Sequence, residues 1–158
     1  MRRIRLGVGA AFAAGTLAVT GLALAPSAAA VTPQSATINA TCAIGGSGAA
    51  TLTATQDGTT ATVTLSSTEI TAPIAFAEDS IQSTLTFVKA GGGTTSFTGT
   101  ENPALAAGDG MVVGPLTGTV APGDSLEAYG GSLQMVVFGF PVSCTANGPQ
   151  SPGPFVFD

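Results

Sequence analysis

From Ala36 onward, apolar and polar residues alternate in short runs separated by glycine, proline and asparagine, the period-two signature of half-buried β-strands. Ala36, Ile38, Ala40 and Cys42 share one side of the first run, which ends at the loop Gly45-Gly46-Ser47-Gly48. The runs Ala50 to Gln56 and Thr59 to Leu65 flank Asp57-Gly58, a two-residue type I′ hairpin signal. Closing that turn pairs Gln56 with Thr59, Ala54 with Ala61, Leu52 with Val63 and Ala50 with Leu65. The apolar residues then fall on one face, and Thr51, Thr53, Thr55, Thr60, Thr62 and Thr64 on the other, so register and burial agree.

Further strands follow at short spacing. Ile70 to Ala77 contains Pro73, which predicts an edge or bulged strand. Ser80 to Lys89 places Ile81, Ser83, Leu85 and Phe87 on one side, turns through Ala90-Gly91-Gly92-Gly93 and returns as Thr94 to Thr100. Met111 to Val120, broken by Gly114-Pro115, and Ser125 to Tyr129 carry fainter patterns. Leu133 to Phe140 is apolar at both parities, which predicts a central strand covered on both faces. No window sustains a helical period, because glycine and proline interrupt each one and the abundant threonine favours strands. The fold expected is an all-β sandwich of seven to nine antiparallel strands with no internal repeat.

The first thirty residues follow a different logic. Arg2, Arg3 and Arg5 precede an apolar run from Leu6 to Ala25 and the small-residue stretch Ser27-Ala28-Ala29-Ala30, the layout of a secretory signal peptide cleaved after Ala30. Sec export fits better than the twin-arginine route, whose motif is incomplete after Arg2-Arg3. The expected organisation is a signal peptide over 1–30, a β-domain over 31–146, and a Pro/Gly-rich tail or edge strand over 147–158. No membrane span is expected once the leader is removed. The mature chain keeps Lys89 as its one cation against all nine carboxylates, a formal charge of −8. That charge excludes a nucleic-acid partner and disfavours an anionic membrane surface.

Cys42 and Cys144 are the only cysteines, and in an exported chain they are expected to pair. The bridge would tie the first strand to the last core strand. This layout, with a leader, a cysteine in the first strand, threonine-rich strands and the closing segment GSLQMVVFGFPVSC, resembles small secreted actinobacterial proteins with one disulfide and an immunoglobulin-like β-sandwich. The resemblance implies an Ig-like sandwich only loosely, since no tryptophan packs on the bridge and the cysteines lie far apart in sequence. It carries over no functional residues.

The chain has no histidine, which removes the usual neutral-pH base, the Ser/His/Asp and Cys/His constellations and the commonest transition-metal ligand. Acid and base chemistry is left to carboxylates and Lys89. Glu78, Asp79, Glu101, Asp109, Asp124 and Glu127 are the acids to consider for a carboxylate-based hydrolase, though several sit in Gly- or Pro-rich turn sequences. Glu78, Asp79 and Asp109 are the first residues to test as calcium ligands. Lys89, ahead of a glycine turn, reads as an edge charge that blocks strand pairing. The Thr51, Thr53, Thr55, Thr60, Thr62 and Thr64 ladder offers a flat row of methyl and hydroxyl groups to a polymer or to ordered water.

The reading these features support is a secreted, non-enzymatic, monomeric module without cofactor, free in the medium or loosely associated with the cell wall. It would bind a protein or an envelope polymer through a contact surface. The alternative is a carrier that admits an apolar ligand between two sheets, near Phe76, Phe87, Phe97 and Phe138.

Overall fold

A computed structural model describes residues 31–158; the leader assigned to residues 1–30 lies outside the described residues. The alternating runs form ten strands: β1 (Val31–Thr32), β2 (Ser35–Cys42), β3 (Ser47–Asp57), β4 (Thr60–Thr71), β5 (Gln82–Lys89), β6 (Thr94–Gly99), β7 (Gly110–Thr119), β8 (Ser125–Val137), β9 (Phe140–Ala146) and β10 (Phe155–Phe157).

These strands do not build the expected Ig-like sandwich. They run in the order β8-β5-β6-β7-β4-β3-β2-β9, and β9 pairs back onto β8, so eight antiparallel strands close into a barrel. The expectation failed because a sandwich and a barrel ask the same thing of each strand, alternate residues inward and outward. What separates them is whether the end strands find each other, and strand periodicity does not encode that. Here β2 and β9 do, through Ala40 with Ala146, Thr41 with Thr145 and Cys42 with Cys144. The disulfide Cys42–Cys144 forms as expected, but between neighbouring strands of one closed sheet, with Cα atoms 3.9 Å apart.

Two connections cross the ends of the barrel. Strands β5, β6 and β7 form a meander with β8 returned beside β5, a Greek key. Residues 72–81 therefore pass from β4 over the ends of β7 and β6 to reach β5, and residues 120–124 cross the opposite end. The first crossing is anchored by Asn102, which is 3% exposed. Its Oδ1 accepts the Ser80 and Ile81 amides, and its Nδ2 donates to the Ala77 and Pro103 carbonyls. One buried amide thus ties the 72–81 crossing to the β6–β7 connection with every polar atom satisfied.

The interior is filled by side chains of contrasting size. Phe87 and Phe97 meet edge to face at 5.6 Å, and Phe155 packs edge-on against Phe87 at 6.1 Å. Small residues on β2 and β3 (Ala36, Ala40, Ala50, Ala54) line the wall elsewhere. A Cβ on Gly118 would lie 2.7 Å from the Phe97 ring, so glycine there is what lets the ring seat. Residues 147–158 are docked: β10 pairs with the start of β8 and with β1, burying Phe155 and Phe157. Gln150 fills the space between β8 and this strand, accepting the Ala128 amide and donating to the Gly153 carbonyl.

Other details depart from expectation in instructive ways. The β3–β4 register is shifted by two residues, pairing Asp57 with Thr60, Ala54 with Val63 and Leu52 with Leu65. Gly58, at φ +59°, is then the first central residue of the turn and Thr59 the second, the Gly-X arrangement of a type II′ hairpin. A shift of two preserves the faces, so the threonines still point outward. The Pro73 segment is the crossing connection and not a strand. Leu133 to Phe140 is not a covered central strand: it ends β8 and turns into β9, with Leu133 and Met135 inside and Val136, Phe138 and Phe140 exposed.

Two predictions follow from this framework. Replacing both cysteines by serine removes a constraint spanning 102 residues. In the chain-entropy model this lowers unfolding free energy by about 4–5 kcal/mol, measurable by urea titration. At the far end, Lys89 Nζ contacts both Asp124 oxygens at 3.0 and 3.1 Å. The Ala121 amide and the Lys89 ammonium hold the Asp124 carboxyl below its ordinary value. A depressed folded-state pKa stabilises above the unfolded pKa, and the benefit fades as pH falls through the folded value. Asp124→Asn is expected to cost about 1 kcal/mol at neutral pH. That difference closes as both proteins are taken below the ordinary aspartate range in the same titration.

Candidate functional site

The two ends of the barrel differ in chemistry. Strands β2, β4, β6 and β8 all finish at one end, where the β2–β3 loop, the 72–81 crossing, the β6–β7 connection and the β8–β9 hairpin gather. The opposite end carries the Lys89–Asp124 pair and the C-terminal strand, where Gln56 binds the Asp158 backbone. The first end opens into an apolar cavity.

That cavity has a volume of about 190 Å³ and an almost wholly apolar wall. Cys42 and Ile44 come from the end of β2 and its loop, Ile70 from β4, and Pro73, Ile74 and Phe76 from the crossing. Met111 begins β7, while Met135, Val137, Phe138, Phe140 and Val142 come from the β8–β9 hairpin. An apolar cavity of about 150 Å³ takes up a benzene-sized guest in preference to water, so this one accommodates a single aromatic ring or a short alkyl segment. Met111 and Met135 form the floor, and their unbranched thioethers adapt readily to a guest's shape.

The rim is the least ordinary backbone in the molecule. Phe138 and Gly139 form the β8–β9 turn with φ of +49° and +81°, both left-handed. Such a turn suits Asn-Gly or Gly-Gly. A bulky residue there costs about 1–2 kcal/mol. In return, Phe138 stands at the mouth, 68% exposed, beside Phe140 at 71%. It stacks on Phe76 at 6.2 Å with an interplanar angle of 27°. Phe76 is buried and held by paired backbone hydrogen bonds to Leu105. Ile44, Ile74 and Val136 are also exposed at this end, so most large apolar side chains left in water surround one opening. Clustered exposure of this kind marks a contact site, where scattered apolar residues would not.

The four phenylalanines named from the sequence divide between two places. Phe76 and Phe138 belong to the mouth, whereas Phe87 and Phe97 are fully buried core. There is no gap between two sheets for a ligand to enter, because there is one closed sheet. The hairpin residues Val137 and Phe140, and the loop residues Ile44 and Ile74, were not singled out by sequence reasoning. The usable signal was Phe138-Gly139 as a two-residue turn, hidden inside an apolar run that reads as a buried strand.

Thr51, Thr53, Thr55, Thr60, Thr62 and Thr64 lie on the outer wall, with Thr55 and Thr62 hydroxyls 2.7 Å apart. They belong to a longer belt. Thr55, Thr62, Thr117, Thr98, Thr84, Gln134 and Ser143 are successive cross-strand partners around seven strands. The belt curves with the barrel and is not the flat row expected from two strands alone.

The carboxylates serve mainly as turn closures. Asp109 accepts the Ala106 amide, Asp124 the Ala121 amide, and Glu127 the amides of Tyr129 and Gln150. Glu101 accepts the Thr100 amide, and Glu78 and Asp79 occupy an exposed turn with Asp79 at φ +54°. Among the described residues, no three Asp, Glu, Cys or His side chains converge to hold a metal, so Glu78, Asp79 and Asp109 are not brought together as a ligand set. No family model, curated protein or solved structure matches the chain.

The mouth predicts a contrast between two stacked rings. Phe76→Ala, at a buried position, costs about 3–5 kcal/mol. Phe138→Asn removes an exposed ring but relieves the left-handed strain, and changes stability by less than about 1 kcal/mol. Thermal or urea unfolding of the two variants distinguishes them.

Proposed function

We propose that the chain is an exported, non-enzymatic binding module whose contact site is the apolar mouth of the barrel. The observation that carries this reading is Phe138: a costly left-handed backbone holds an exposed ring over an apolar cavity of about 190 Å³. Strain kept at a side chain left mostly in water is the pattern of a binding element. The disulfide is compatible with an oxidising, extracellular setting. The use of most carboxylates as turn closures favours binding over hydrolysis.

The occupant is one apolar group, an aromatic ring or alkyl segment, lodged against Met111, Met135 and Phe76 and covered by Phe138. Of the three sequence-based readings, this joins the binding module to the apolar carrier, sets aside the carboxylate-based hydrolase and moves the site from the interior to the mouth. The threonine belt is then a solvated outer wall.

The test is titration of the disulfide-bonded domain with 1-octanol, followed by amide and methyl NMR. Shifts are expected at Ile44, Ile70, Met111, Met135 and Phe138 and not along the threonine belt. Ile74→Trp, at an exposed rim position, fills the opening and is expected to weaken binding at least about tenfold with the fold intact. Uniformly small shifts, or binding unaffected by Ile74→Trp, would reject the site.

A further inference from the structure

The mouth carries a recess and a projection on one face. The recess is the cavity of about 190 Å³, large enough for one aromatic ring, and its lining includes no carboxylate and no lysine. The projection is Phe140, 71% exposed at the start of β9. Among the described residues, Phe138 has a ring partner in Phe76, whereas Phe140 stacks on no ring. Ile44, Ile74, Val136, Phe138 and Phe140 are between 38% and 71% exposed. At those fractions they present together about 600 Å² of apolar surface, the top of the range for the largest patch on an ordinary monomer.

Area and shape together discriminate among occupants. Two mouths set face to face remove about 1,200 Å² from water through these five side chains alone, the size at which specific, stable interfaces begin. A two-fold contact needs a surface that is its own complement, so that a group projecting from each copy meets a recess on the other. A cavity sized for one ring beside an unstacked ring meets that requirement. A lipid surface would engage the projecting rings and leave the recess unmatched. Because no charged side chain lines the cavity, filling it with a ring strands no charge away from water. Resting on the apolar-mouth reading above, we infer that the ring this cavity takes is Phe140 of a second copy, in a two-fold dimer that closes both mouths. Each Phe140 lies against Met111 and Met135 of the other copy, beside Phe138. The monomer expected from the sequence is then the dissociated form.

The test is sedimentation velocity of the disulfide-bonded domain over a wide concentration range. Dimerisation is expected with a dissociation constant in the micromolar range, since the interface is at the small end of the specific class. Phe140→Ser is expected to weaken it at least about thirtyfold, the effect of removing a central aromatic anchor. Tyr129→Ser removes another exposed ring, one that does not line the cavity, and should leave association unchanged. Both positions are exposed, and amide NMR spectra report that the fold is kept. Residues 31–158 carry one lysine against nine carboxylates, a formal charge of −8, so two copies repel at long range. Association should therefore tighten severalfold between about 0.05 and 0.5 M NaCl, as that repulsion is screened. In a dimer mixed from methionine-methyl-labelled and unlabelled copies, NOEs are expected from the Met111 and Met135 methyls to an aromatic ring of the other copy, and none with Phe140→Ser.

A monomer at every concentration, with 1-octanol still bound at the mouth, would overturn the dimer and leave the apolar mouth standing. A dimer insensitive to Phe140→Ser would also overturn it, because the interface then lies elsewhere. Binding of the monomer to neutral phosphatidylcholine vesicles, with no self-association, would move the occupant from a second copy to a lipid surface. Absence of both self-association and octanol binding would reject the apolar-mouth reading as well.

Discussion

The barrel depends on the seam where β2 meets β9. Every other junction around the ring rests on hairpins or on longer ladders, apart from the single registered pair Thr98 with Thr117 between β6 and β7, which the neighbouring β5–β6 and β4–β7 ladders hold in place. The seam has three registered pairs and joins strands about a hundred residues apart, so its closure carries a large entropic cost. The Cys42–Cys144 bridge sits within that ladder and removes much of the cost by keeping the ends together in the unfolded chain. Hydrogen bonds extend the seam beyond the strands, from the Ala43 amide to the Ser143 carbonyl, from the Asn147 amide to the Asn39 carbonyl, and reciprocally between Thr37 and Ser151. Where β9 ends, β10 and β1 continue the wall beside β8, covering apolar surface that would otherwise face water.

The same seam shapes the functional end. Cys42 is both half of the bridge and part of the cavity wall, and the adjoining strand β9 adds Phe140 and Val142 to that wall. Closing the barrel is what brings Ile44 of the β2–β3 loop within reach of the β8–β9 hairpin. The crossing from β4 to β5 supplies the third side, and its position depends on Asn102 satisfying four backbone groups at once. A buried polar network of this kind fixes one loop conformation, since any alternative leaves amides without partners. The opening is thus built from rigid supports with one adaptable layer, the two methionines beneath it.

Strand-level features were legible in the chain because they are local. The Ile81, Ser83, Leu85, Phe87 alternation appears as one buried face of β5, and the outward threonines of β3 and β4 follow from the same period of two. Cysteine pairing was legible from having two cysteines in a chain whose first thirty residues read as an export leader. The hairpin around Gly58 was legible in kind, but its register moved by two because Gly-X and Asp-Gly are both acceptable turns, and cross-strand packing chose between them. Leu133 to Phe140 misled because an apolar run looks the same whether it is covered by protein or left open at a rim.

The sequence by itself determined which residues face inward, where strands break, that a disulfide could staple first strand to last, and that the β-domain is acidic and without histidine chemistry. Tertiary structure decided that the sheet closes, that the carboxylates lie mostly apart in turns, and that residues from four separate segments converge on one apolar mouth. Inward or outward orientation is set by backbone geometry within a few residues. Closure and convergence are set by pairings between segments up to a hundred residues apart, whose energies depend on partners that no local pattern names.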